Sequence, residues 1–388
     1  MSVTGAAGFQ AAGVTAGLKP SGRPDLALVV NTGPDQVAAA VFTTNRVRAA
    51  PVLWSQQAVA DGRLHAVVLN SGGANACTGP AGFADTHRTA EHVAAALSGT
   101  GAEVGAGDVA VCSTGLIGTR LPMDLLLAGA TAAAAALDDE GGPDAARAIM
   151  TTDTVAKTAR YVDEGWSVGG MAKGAGMLAP GLATMLVVIT TDAVLDAAAA
   201  DAHLRTACAA SFDRVDSDGC MSTNDTVVLM SSGASGVRPA ARDFQAALDE
   251  TCHDLAMQLL RDAEGAAHDI AIEVQHAAST EDALEVARAV ARSNLFKCAV
   301  FGGDPNWGRV LAAIGTTAAD FDPDRVDVAF NGVEVCRDGA IGDDRALVDL
   351  TGRDVSVVIN LRNGRGAATV WTNDLTYDYV KENAEYST

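Results

Sequence analysis

Short unbroken apolar runs punctuate the first half of the chain: LALVV (26–30), VAAAVF (37–42), HAVVLN (65–70), DVAVCSTG (108–115) and MLVVIT (185–190). Each is bounded by turn formers, which predicts strands buried on both faces. Elsewhere apolar positions recur with the period of a helix, over 81–101, 123–142, 201–215, 241–265 and 279–300. Asp201 and Ser279 are placed to cap helix N-termini, and Gly142 and Gly265 to end helices in the left-handed conformation. The Ala-rich run TAAAAALDDEGGPDAARAIM (131–150) reads as a surface helix pair. Strands and helices alternate throughout, which predicts an α/β protein. Ser, Gly and Pro cluster at SSGASGVRPAARD (231–243). This predicts a main domain over 1–240 and a smaller C-terminal α/β domain over 241–388, with the boundary good to about ten residues.

Composition narrows the class. At 388 residues, with 48% hydrophobic and 4% aromatic residues, the chain suits two domains or one large layered unit with a finely packed aliphatic interior. A formal charge of −21 would repel phosphate backbones and anionic lipid, so neither nucleic acid nor membrane is an expected partner. The opening MSVTGAAGFQAAGVTAG has no basic segment leading into a long apolar one, and no apolar run approaches the roughly 20 residues of a membrane span. A cytoplasmic protein is expected. Cys77, Cys112, Cys208, Cys220, Cys252, Cys298 and Cys336 are scattered without a C-x-x-C pair, which predicts reduced core thiols. The histidines form no close metal-binding pattern, so zinc chemistry is not expected.

Candidate chemistry gathers in GMLAPGLATMLVVITTD (176–192). Lys173-Gly174-Ala175-Gly176 carries one cation on a flexible run, Pro180-Gly181 forces a turn, and Thr184 opens the strand. Threonine suits a strand start on structural grounds alone. The alternative is that the Ala183–Thr184 peptide breaks autocatalytically, so that the freed α-amine becomes the base beside the Thr184 hydroxyl. An α-amine titrates near 7.7–8.0, close to neutrality. CSTGLIG (112–118) follows a predicted strand and offers the Thr114 hydroxyl and the Gly115 amide, the donor types of an oxyanion hole, although a plain strand-ending turn has the same pattern. MAKGAG lacks the spacing of a phosphate loop.

Those residues, together with SGRPDLALV (21–29), NSGGANACTG (70–79), STGLIG (113–118), IMTTDT (149–154), GGMAKGAGMLAPGLATML (169–186), STNDTV (222–227), DAEGAAHDIAIEV (262–274), GGDPNWGRV (302–310) and DLTYDYVKENAEYST (374–388), resemble the ornithine acetyltransferase family, the bifunctional glutamate N-acetyltransferases of arginine biosynthesis. The resemblance implies a layered α/β sandwich of the type shared with self-processing aminopeptidases. It implies scission into an α chain ending at Ala183 and a β chain starting at Thr184, two of each associating as α2β2. Thr184 would be the nucleophile, Thr114 and Gly115 would hold the oxyanion, and Thr152, Lys173, Thr184, Glu264, Asn383 and Thr388 would line the substrate pocket. A one-residue slip would put Thr151 in place of Thr152.

The implied reaction moves an acetyl group from N-acetylornithine to glutamate through an acetyl-threonine ester, releasing ornithine and giving N-acetylglutamate. It needs no metal or redox cofactor and leaves acetyl-CoA open as a second donor. Lys173 suits an amino-acid carboxylate and Glu264 an ammonium, although a solvated helix face would explain Glu264 equally. Asn383 and Thr388 matter only if the tail folds back. DPNWGR (304–309) reads as an architectural loop near the site, and Asn75, Asn224 and Asp225 as supporting or simply buried hydrogen-bonding groups. Gly73, Ala263, His268 and Cys220-Met221 depart from the family pattern. The competing readings are an aminopeptidase or amidase of the same architecture, which would pass the acyl group to water, and a non-catalytic amino-acid-binding protein.

Overall fold

A computed structural model describes residues 2–98, 103–179 and 185–385. The chain runs β1 (Phe9–Val14), β2 (Leu26–Asn31), β3 (Val37–Phe42), α1 (Ala50–Ala58), β4 (Ala66–Ser71), α2 (Gly79–Ser98), β5 (Val109–Thr114), α3 (Met123–Ala135), α4 (Gly142–Ala148) and β6 (Lys157–Asp163). It continues through β7 (Trp166–Lys173), β8 (Leu186–Thr191), α5 (Ala197–Ala210), β9 (Thr226–Ser231) and α6 (Ala241–Arg261). The remainder forms β10 (Asp269–Ala277), α7 (Thr280–Ala291), α8 (Asn294–Phe301), α9 (Trp307–Ile314), β11 (Asp327–Phe330), β12 (Val333–Arg337), β13 (Ala340–Ile341), β14 (Asp354–Asn360), β15 (Gly366–Asn373) and α10 (Tyr377–Glu385).

Of the strands predicted from apolar runs, β2, β4, β5 and β8 are buried on both faces because two sheets stack between helices, whereas the edge strand β3 is only partly buried. One sheet has the order β1-β2-β4-β5, the other β3-β9-β8-β7-β6. Successive side chains of a strand point to opposite faces. Leu186 and Val188 of β8 accordingly join Val29, Val67 and Cys112 of the facing sheet in one core, while Val187 and Ile189 join Leu204 of α5 and Phe244 and Leu255 of α6 in another. On the far side of the first sheet, Leu28, Val68 and Val111 pack against Val93 and Leu97 of α2 and Leu126 of α3. The result is four layers, helices–sheet–sheet–helices. A third sheet, β13-β12-β11-β14-β10-β15, packs α7, α8 and α9 over its own core, from Ile270 to Val370. Helix α6 follows the boundary expected near 240, yet it packs on the second sheet, β3-β9-β8-β7-β6, so core membership divides the chain between Ala263 and Ile270.

Local signals fare unevenly. Ser279 caps α7 by accepting from the Asp282 amide. Asp201 does not cap: α5 starts earlier, with Asp196 accepting from Ala199, and Asp201 lies inside the helix paired to Arg205 at 2.8 Å. Gly142 opens α4 rather than ending α3, since a Cβ there would meet Thr4 Oγ1 at 2.7 Å. Gly265 does take a left-handed φ of 61°, but α6 has already ended at Arg261. The helix expected over 279–300 breaks at Ser293, whose side chain accepts from the Phe296 amide to start α8. Nor is α4 a surface helix, because Ala145, Ala146 and Ala148 are fully buried in the inter-sheet core. The cysteines are free; Cys112, Cys208, Cys252 and Cys336 are core thiols, but Cys77, Cys220 and Cys298 are exposed. Among the described residues no helix is long and apolar enough to cross a membrane.

Candidate active site

Strand ends meet at one edge of the sandwich. Thr114 is the last residue of β5 and Lys173 the last of β7, while Met185 and Asp225 immediately precede β8 and β9. The antiparallel β7–β8 pairing sets Lys173 opposite Leu186, so the connection between the two strands starts next to Thr114. Thr114, Gly115, Thr152, Lys173, Glu264 and Asn383 line one cavity, with Thr151 also in its wall. Ala183, Thr184 and Thr388 lie outside the described residues. Asn383 reaches the cavity because α10 returns to it; its Nδ2 donates to Tyr379 O within that helix.

Lys173 is 1% exposed and its Nζ donates to Thr114 Oγ1 at 3.2 Å. A hydroxyl that accepts from an amine turns its own proton away from it, so Thr114 keeps a donor to offer. Burial pushes the Lys173 pKa down, and Asp153 opposes that shift. Burial would by itself raise the Asp153 carboxyl, but Lys173 and Lys157 outweigh it and hold it at about 2. Asp153 Oδ1 accepts from Lys157 Nζ at 2.6 Å and from the Gly174 amide at 2.7 Å. Lys157 Nζ also reaches Asp262 Oδ2 at 2.5 Å. This buried lysine–aspartate network anchors the start of the connection that follows β7. Lys157→Met strands two buried carboxylates and is expected to lower unfolding free energy by about 3–5 kcal/mol, read by urea denaturation.

Two glycines make room where the site needs it. Gly115 has φ +128°, and a Cβ there would meet Gly73 N at 2.6 Å. Gly115→Ala is therefore expected to destabilise the fold by about 1–3 kcal/mol and to slow turnover, read by thermal unfolding and initial rates. At Gly176 a Cβ would meet Glu264 Oε2 at 2.7 Å, so the glycine admits the Glu264 carboxylate. The Glu264 amide donates to Ala175 O at 2.9 Å, which ties the end of α6 to the Lys-Gly-Ala-Gly run. Glu264 is thus not simply part of a solvated helix face.

Supporting groups explain several sequence blocks. Asn224 Nδ2 donates to Ala74 O and Ser113 O, fixing the end of β5, while Asn75 Nδ2 bonds Gly82 O and Thr86 Oγ1. In SGRPDLALV, the Asp25 carboxylate accepts the amides of Ala16, Gly17, Leu18 and Lys19. Lys19 Nζ then donates to Met150 O, next to Thr151, and burial with help from Arg23 lowers its pKa to about 8. Thr151 bonds Asp153 Oδ2 through its amide at 2.9 Å, and both Thr151 and Thr152 stay in the cavity wall. Two of the departures, Gly73 and His268, find local causes. Leu121 Cδ2 lies 2.8 Å from where a Gly73 Cβ would sit, filling that space, and His268 supplies Asp374 with a donor at 2.7 Å. DPNWGR does not line the cavity: Asn306 caps α9, which packs in the third core.

Sequence reading missed Lys19, Asp153 and Lys157 as groups organising the site. The one signal available was that IMTTDT and SGRPDLALV belong to the blocks already singled out. A larger concavity along β3 contains Cys208, but burial pushes that thiol well above its ordinary pKa, away from a reactive thiolate.

The model of the ArgJ family matches residues 10–388. An arginine biosynthesis bifunctional protein ArgJ from Streptomyces coelicolor is 64% identical over 387 residues, covering all of both chains. One from Mycobacterium leprae is 59% identical, covering 99% of this chain and 95% of that protein. Among solved structures, an ornithine acetyltransferase complexed with ornithine from Mycobacterium tuberculosis is 63% identical and covers 48% of this chain and 96% of that one, at a TM-score of 0.46.

Proposed function

The chain belongs to the ArgJ family and is an acetyltransferase of arginine biosynthesis, of the ornithine acetyltransferase and glutamate N-acetyltransferase kind; on that premise we propose how its own residues perform the transfer. Scission of the Ala183–Thr184 peptide frees an α-amine on Thr184. Thr184 Oγ attacks the acetyl carbonyl of N-acetylornithine as that amine takes the hydroxyl proton. Thr114 and Gly115 donate to the oxyanion, and the amine returns the proton to the leaving nitrogen of ornithine. Glutamate then attacks the acetyl-threonine ester, and N-acetylglutamate leaves with the enzyme restored.

Lys173 pairs with the substrate α-carboxylate, an anion that favours the ammonium form which burial disfavours. Glu264 takes the ammonium of the substrate side chain, while Thr152, Asn383 and Thr388 complete the pocket. The observation that supports the reading is that Thr114, Gly115, Lys173 and Glu264, drawn from separate parts of the chain, line one cavity at the end of β7. We place the enzyme in the cytoplasm, in keeping with its free cysteines, and as an α2β2 assembly.

Intact-mass measurement after incubation with N-acetylornithine tests the reading. Two polypeptides are expected, the C-terminal one bearing an acetyl group that disappears when glutamate is added. An active enzyme that stays a single unmodified chain would sink it. The same measurement with acetyl-CoA shows whether a thioester also loads the threonine, and native mass reports the assembly.

A further inference from the structure

Two amino acids of opposite side-chain charge have to use one site. In the transfer proposed above, ornithine gives up the acetyl group and glutamate collects it, each with its α-carboxylate at Lys173. Their side chains then end at the same place, since the δ-nitrogen of ornithine and the γ-carboxylate oxygens of glutamate stand the same number of bonds from Cα. Glu264 suits the ammonium. Towards a carboxylate it is repulsive, and like charges in a partly enclosed site cost more than they do in water. A donor near Glu264 must offset that repulsion when glutamate binds.

Apart from Lys173, no cation lines the active-site cavity among the described residues. A second cavity shares Glu264 with it, and Asp218, Arg292, Lys297 and Tyr379 are in its wall. Both cations there are already matched. Arg292 Nε donates to Asp216 Oδ2 at 2.7 Å, and Lys297, 6% exposed, donates to Ser217 O and feels the charges of Asp218, Asp216 and Asp374. Tyr379 is different. A Cβ on Gly265 would meet Tyr379 N at 2.1 Å, so the left-handed glycine after Glu264 lets α10 come this close. Thr376 Oγ1 fastens the contact, donating to Gly265 O at 2.6 Å and accepting from Tyr379 N at 2.9 Å. Asn383, one turn further along α10, lines the first cavity, so Tyr379 and Asn383 share the helix face that borders both cavities. Burial and the charges of Asp218 and Glu264 push the Tyr379 pKa up to about 12, which keeps the phenol protonated at neutral pH.

We infer that Tyr379 is a specificity-determining residue of the transfer, its hydroxyl donating to the γ-carboxylate of glutamate and accepting from the δ-ammonium of ornithine. The inference rests on the transfer and on the Glu264 pairing proposed above. A phenol donates or accepts without changing its charge, so neither side chain meets a repelling group there. Loss of the hydroxyl falls unequally on the two amino acids. Ornithine keeps Glu264 as its partner, whereas glutamate is left facing that carboxylate with its donor gone.

Tyr379→Phe tests this, since it keeps the ring and removes the hydroxyl. Wild type and variant are loaded with N-acetylornithine, and loss of the acetyl group is timed by intact mass on adding glutamate, ornithine or norvaline, whose side chain has no polar end. The expected result is a kcat/KM lower by about ten- to a hundredfold for glutamate, by less than about threefold for ornithine, and unchanged for norvaline, at a Tm within a few degrees of wild type. Discharge by glutamate at the wild-type rate overturns the assignment. So does an equal loss for all three amino acids, which a purely structural role of the side chain would give. A wild type that never carries the acetyl group removes the transfer reading, and this inference with it; a wild type that loads and discharges beside an equally competent variant removes only Tyr379. If the phenylalanine variant does not fold, Tyr379→Met takes its place: it too lacks the hydroxyl, and the same unequal loss is required of it.

Discussion

Thr184→Ala is expected to purify as one unbroken polypeptide of 39.3 kDa, with acetyl transfer reduced by on the order of 10⁴-fold or more. The size of the effect follows from a double loss. Without the hydroxyl there is no attacking group to start the acyl shift, so the peptide stays intact. With the peptide intact, the nitrogen of residue 184 remains an amide and has no basic lone pair to give. Thr184→Ser separates the two, since it keeps a hydroxyl and is expected to split and retain part of the activity. A denaturing gel beside an acetyl-transfer assay checks both variants, and an unbroken wild-type enzyme with full activity would contradict the scheme.

Removing the Thr114 hydroxyl has the next largest effect. An oxyanion donor contributes about 3 kcal/mol to the transition state, so Thr114→Val should slow kcat by roughly a hundredfold or more. The structure adds a second consequence. Lys173 Nζ, almost without solvent exposure, donates to Thr114 Oγ1, and valine withdraws that acceptor. Some loss of stability, about 1–3 kcal/mol, is therefore expected along with the slower rate. Thr114→Ser restores the hydroxyl and should recover both quantities in large part. A Thr114→Val enzyme with wild-type kcat would remove Thr114 from the oxyanion site.

How much of this was legible in the sequence depended on what each residue's environment leaves in its type. Strands such as β4 and β8 are apolar on both faces because a sheet or a helix covers each face, and a continuous apolar run records that. Strand β7, WSVGGMAK, carries no such record. A Cβ at Gly169 would meet Ser2 O at 2.4 Å and one at Gly170 would meet Leu255 at 2.9 Å, so close approach of the N-terminus and α6 fixes glycine where strand propensity argues against it. A C-terminal α/β domain was expected, but no strand of the third sheet was read individually, since strands such as β14 alternate buried and exposed positions and yield no long apolar run.

For the site, residue chemistry raised Thr184, Thr114, Gly115 and Lys173, while the pairing of these with Thr152, Glu264 and Asn383 came from resemblance. No spacing along the chain encodes that α6, α10 and the segment after α4 end at one cavity. The network beneath it was invisible for a different reason. Asp153 and Lys157 look like surface charges in a polar stretch, and only the fold puts both side chains at zero exposure.

The strand order of the second sheet, β3-β9-β8-β7-β6, has a consequence for what a cut before Met185 can do. Strands β3, β6 and β7 would belong to the first fragment and β8 and β9 to the second, so the second fragment's pair is held between strands of the first on both sides. The ladders from Val168–Thr191 to Lys173–Leu186 and from Val37–Ser231 to Phe42–Thr226 would have to tear before the pieces could part. Such a nick frees a chain end without loosening the body around it, and the pieces travel together through any separation that leaves the sheet intact.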